Sequence, residues 1–285
     1  MKLKFLLPAC AAFAIIALGS CKKDSNSTDD TVAATFALSA DEGTTANLNQ
    51  DANDMLNEAA FQSNTMGSGF TANTQNSQFL GTGFLSCATV TVSPALGFPK
   101  TVTLDFGTGS CTNPNGITRS GIVTIVLSDS LRAHGSTATV TFNNYYVQGY
   151  KREGTITWTN TSTATAVSWH RNCTNGKITA PNGNYWTHSG DQDIVITAGA
   201  STPTLTDNVY SITGNSTVAN SAGVSRTSTI LTALEKKANC THIDMGTVKV
   251  QGPNHYAVID FGTGTCDNIA TVSIDGHASQ TITLP

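Results

Sequence analysis

The chain has 285 residues, with 15 Lys and Arg against 19 Asp and Glu, and a formal net charge of −4. No basic cluster is longer than two residues, which argues against nucleic-acid binding, because phosphate neutralisation needs a basic patch. Only 12% of residues are charged while Thr, Ser, Asn and Gly are abundant. That balance suits an extracellular β protein with hydroxyl-bearing strand faces rather than a helical cytosolic enzyme.

At the N-terminus, Lys2 and Lys4 precede an apolar run from Phe5 to Leu18 that is too short to span a bilayer. Residues 1–20 therefore read as a secretory signal. Leu18-Gly19-Ser20-Cys21 resembles the lipobox of bacterial lipoproteins, in which the cysteine is acylated and becomes the mature N-terminus. The resemblance implies a lipid anchor on Cys21, and hence a membrane as partner. Residues 21–46 read as a polar tether. Its opening Lys22-Lys23-Asp24 resembles the export signal of surface lipoproteins in Bacteroidota-type bacteria. This implies the outer membrane with the domain facing outward, the periplasmic face being the alternative.

Leu48, Ala52, Met55, Leu56, Ala59 and Ala60 recur at three- and four-residue spacing, which predicts one short amphipathic helix over about 47–61. Residues 63–83, rich in Ser, Asn, Thr and Gly, read as a connection. From about residue 84 to 285 the pattern is strand and turn, making 47–285 a single β-rich domain.

Leu104-Asp105-Phe106-Gly107-Thr108-Gly109-Ser110-Cys111 returns as Ile259-Asp260-Phe261-Gly262-Thr263-Gly264-Thr265-Cys266. An upstream cysteine, Cys87 or Cys240, brackets a strand-turn-strand pattern with each copy. In an oxidising compartment these brackets predict disulfides Cys87–Cys111 and Cys240–Cys266, with Cys173 left over. Between the two units, Gly121–Leu127 is apolar on both faces and is expected to be central and covered. Ala138, Val140 and Phe142 alternate with Thr137, Thr139 and Thr141, as do Ile156 and Trp158 with their threonine neighbours, giving one buried and one wet face. Asn175-Gly176 and Pro181-Asn182-Gly183 both offer tight-turn chemistry, so 163–197 reads as a set of hairpins.

Short connections favour an antiparallel meander. A sheet of about ten to twelve strands must curl, split or close. The fold expected is all-β: one curved, long-stranded sheet with the helix on its apolar face, a two-layer sandwich being the alternative. The paired Asp-Phe-Gly-Thr-Gly-x-Cys segments, Arg119-Ser120-Gly121, Phe142-Asn143-Asn144-Tyr145-Tyr146-Val147 and Cys266-Asp267-Asn268 together resemble a family of uncharacterised Bacteroidota lipoproteins. That resemblance implies no activity.

Candidate chemistry is sparse. Asp105 and Asp260 sit beside Gly-x-Gly turns, where a carboxylate fixes the loop by accepting backbone N–H bonds. His170 and Cys173 have no further His/Cys cluster to complete a metal site and no nucleophile motif, so no metal, cofactor or catalytic residue is assigned. Trp158 is read as core. Tyr145, Tyr185 and Trp186 are the candidate ligand contacts, since Tyr185 and Trp186 cannot both face inward on one strand. The function expected is a lipid-anchored, non-catalytic envelope protein contacting glycan or protein. The alternative is a periplasmic carrier holding a lipid-like ligand in a curved-sheet cavity.

Overall fold

The computed structural model describes residues 31–68, 70, 85–109 and 111–285. The signal segment, Cys21, the start of the tether and most of the 63–83 connection lie outside the described residues.

Helix α1 spans Val32–Gln62, 31 residues. Thr31 caps it, its Oγ1 accepting from the Ala34 amide at 3.0 Å. It ends where Asn64 takes a left-handed φ of 56° and the Thr65 and Asn64 amides donate back to the Ala60 and Phe61 carbonyls at 2.8 and 3.1 Å. The helix is longer than the periodicity over 47–61 suggests, and the stretch from Val32 read as tether is helical. Its polar residues do not face water: Glu42 to Phe61 are buried on every side of the helix. Amphipathic spacing identifies only helices with a wet face, and the partners of this one are polar.

Those partners come from a single antiparallel sheet. Its first strands are β1 Thr89–Ser93, β2 Lys100–Asp105, the two-residue β3 Cys111–Thr112, β4 Thr118–Leu127, β5 Thr137–Val147 and β6 Tyr150–Asn160. Then follow β7 Ser168–Thr179, β8 Tyr185–Ala198, β9 Val209–Asn220, β10 Ser225–Lys237 and β11 Met245–Gln251. The chain closes with β12 Tyr256–Thr263, β13 Ile269–Ile274 and β14 Gln280–Thr283. The strands pair in sequence order as an open fourteen-stranded meander, with β3 alone off the path beside β4. This is the expected curved sheet rather than the sandwich.

The curvature is built by bulges. Register shifts interrupt the pairing of β4 with β5, β5 with β6, β6 with β7 and β7 with β8, and each such shift bends the strand and raises its twist. Gly121 shows why the bulged residue is glycine: its φ is 86° and a Cβ there would stand 2.0 Å from the Asn144 carbonyl oxygen. Asn175-Gly176 belongs to the same system. It forms a bulge inside β7 opposite the bulge after Glu153, not the turn its sequence suggests, because a positive-φ asparagine serves either purpose. The Pro181-Asn182-Gly183 segment does connect β7 to β8.

Sheet and helix share one core. Val102, Val123, Ile125, Val140, Ile156, Trp158, Ile194, Ile212, Val250 and Ile259 are buried together with Leu48, Ala52, Met55 and Leu56 of α1. The outward side of β4 is not covered as expected: Val126 is 42% exposed. Both cysteine brackets close: Cys87 with Cys111 and Cys240 with Cys266 are disulfides, at Cα separations of 5.6 and 5.3 Å.

Candidate functional site

The concave interior is where most of the unusual chemistry lies. Arg119 on β4, Arg152 on β6, Arg171 on β7, and Arg226 and Lys236 on β10 point inward and are buried. Helix α1 runs closest to β9–β13, and from the far side of the sheet the long arginines reach across to it. Arg119 pairs with Asp51. Arg152 donates to the Leu48 carbonyl and, at 2.8 Å, to Asn49 Oδ1. Arg171 donates to the Asn49 carbonyl at 2.9 Å and to Gln192. The Gln50 amide, with its oxygen toward that guanidinium, accepts from Nη1 and Nη2 at 3.1 and 2.9 Å. Lys236 Nζ lies 2.8 Å from Asp54 Oδ2, both side chains being fully enclosed.

Burial governs the protonation of this interior. It pushes the Asp54 carboxyl up to about 6 against the pull of Lys236, and the Glu42 carboxyl from its ordinary 4.5 to about 7. Ser216 Oγ donates to Glu42 Oε1 at 2.6 Å, while Oε2 has no hydrogen-bond partner among the described residues. It borders an enclosed cavity of about 10 Å³ shared with Arg171, Cys173, His188 and Gln192, a volume suited to one water.

Cys173 Sγ and His188 Nδ1 are 3.5 Å apart, a pair that sequence spacing missed because the bulge at Asn175-Gly176 sets which residues of β7 face β8. The pair is not an activated nucleophile. Burial raises the thiol and, with Arg152 and Arg171 nearby, lowers the imidazole to about 3, so both are neutral at neutral pH. A thiolate–imidazolium pair needs the opposite shifts. His170 points the other way, its ring at the outer surface 2.9 Å from Asp193 Oδ1. Asp105 and Asp260 are each occupied in their own turn, accepting from the Gly107 and Gly262 amides at 2.8 and 2.9 Å.

Two of the three aromatic candidates are interior. Tyr145 is 0% exposed, its hydroxyl 4.0 Å from Met55 Sδ, and Trp186 is buried with Nε1 donating to Thr45 Oγ1 at 2.8 Å. Neither can meet an outside ligand. The bulge between Thr141 and Tyr145 reverses the alternation of β5, turning Tyr145 inward and its neighbour Tyr146 outward. Tyr185 does face out, 39% exposed, with Lys177 Nζ 4.4 Å from its ring centroid. Trp158 is core, as read.

The outer face is hydroxyl-rich and regular. Thr91, Thr103, Thr124, Thr141, Thr155 and Thr174 stand in cross-strand register over β1, β2, β4, β5, β6 and β7, about 4.8 Å apart from strand to strand. Asn172, Asp191, Asn215 and Thr229 form a neighbouring row over β7–β10.

No protein-family model, no curated protein and no solved structure matches this chain. No helix among the described residues is long and apolar enough to cross a membrane.

Proposed function

We propose that the chain is a lipid-anchored protein of the bacterial cell envelope, non-catalytic, held to the outer membrane through Cys21 and using the outer face of its sheet as the contact surface. The anchor is supported by the Leu18-Gly19-Ser20-Cys21 sequence after a short apolar run. The role of the outer face rests on one observation: α1 occupies the concave side, with Glu42 to Phe61 buried against the sheet. A carrier of a lipid-like ligand needs an apolar hollow there. Among the described residues, α1 and the inner-face side chains, apolar groups and arginines alike, pack into that space, and the cavity beside Glu42 has room for about one water. Contact with a glycan or another protein thus falls to the convex surface, whose threonine and asparagine rows offer hydrogen-bond donors and acceptors.

Treating intact cells with an impermeant protease tests surface display. The domain should be cleaved or released without permeabilisation, and Cys21→Ser should leave it out of the membrane fraction. Survival until the outer membrane is opened contradicts outward display and favours the periplasmic face.

A further inference from the structure

The outer surface of β7–β10 holds two shallow depressions of about 440 Å³ each, which share Ser189 and Thr217 as common walls. Short outward side chains line them, among them Thr187 and Ser189 of β8 and Thr217 of β9. Gly176 and Gly190 face the other way: a Cβ at either would point into the interior, 2.5 Å from His188 Nε2 and 3.1 Å from Ser216 Cβ. The walls add Asn175 and Lys177 on one side and Asp191 and Asn215 on the other. Tyr185 stands on the same face of β8 as Thr187, which lines the first depression.

The lining selects among ligand classes. An anionic ligand would find a single lysine, Lys177, set against Asp191. An apolar ligand would leave the amides and hydroxyls of the walls unpaired, which is unfavourable for each group desolvated. A neutral polyhydroxylated chain meets both conditions, and the C–H face of a sugar ring can lie on the exposed tyrosine while its hydroxyls pair with the walls. We propose that this pair of depressions, edged by Tyr185, is a binding subsite for a neutral glycan. The assignment rests on the reading of the outer face as the contact surface and adds to it a place and a ligand class.

The test is native affinity electrophoresis of the full chain in detergent micelles, through gels containing mannan, xylan, dextran or a soluble β-glucan, with polygalacturonate as the anionic control. At least one neutral polysaccharide should retard the protein. Tyr185→Ala should weaken that retardation about tenfold, and Ser189→Trp, which fills the wall common to both depressions, should abolish it, with thermal unfolding unchanged in both. Absence of retardation in every neutral gel, retardation by polygalacturonate alone, or equal retardation of wild type and both variants would overturn the assignment. None of these outcomes depends on where the protein sits in the cell, so failure here leaves the anchoring and display readings standing, and a protease-shielded domain leaves the glycan assignment standing.

Discussion

Lys236 and Asp54 show what the interior demands of single residues. A buried ion pair contributes little net stability over a well-packed apolar pair, but removing one partner strands the other charge in a low-dielectric site. Lys236→Met should therefore destabilise the fold by about 3–5 kcal/mol, and adding Asp54→Leu should recover a large part of that loss in denaturant titrations. Glu42 predicts a pH signature. Its folded value of about 7 lies above its ordinary 4.5, so its contribution to stability is fully present below 4.5 and is lost as pH rises through 7. Glu42→Gln removes that loss: the variant should gain stability relative to wild type between pH 5 and pH 8, read as a growing difference in unfolding midpoint. A constant difference across that range would mean that Glu42 is not a buried acid in the folded state.

At the level of elements, α1 is the test of how sheet and helix depend on each other. Leu56 is 1% exposed within the shared core, and Leu56→Asp should destabilise the whole domain by at least about 3 kcal/mol, because a carboxylate would replace an apolar contact. An unchanged midpoint would show a helix that is not integral to the fold. Local pattern made the strands readable: the cysteine-bracketed hairpins became β1–β2 and β11–β12, and the alternation of Ala138, Val140, Ile156 and Trp158 marked the buried face correctly. Two kinds of information were not local. The N-terminal half of α1 has no apolar stripe, since Thr35 and Glu42 are matched by Arg226 and Ser216 far along the chain. Bulges, in turn, change side-chain parity without changing composition. That is why alternation alone presents Tyr145 as available and Asn175-Gly176 as a turn. Of the candidate contacts, Tyr185 survives because β8 has no bulge between it and Gly190.

For the molecule as a whole, the two disulfides close segments with sequence separations of 24 and 26, and each should contribute about 3–4 kcal/mol through loss of unfolded-chain entropy. Cys87→Ser and Cys240→Ser should each lower the unfolding midpoint; unfolding that is indifferent to both, and to reductant, would mean the pairs are not bonded in the folded protein. The larger question is which side of the sheet does the work, and it follows from the placement of α1. With α1 buried against the inner face, the proposed contact surface is the hydroxyl-rich outer face. Native mass spectrometry of the delipidated protein tests this most directly. The mature polypeptide with no noncovalently bound lipid is the expected species, whereas a stoichiometric lipid-like molecule retained on the folded chain would overturn the outer-face proposal and return the interior to the role of a carrier's cavity.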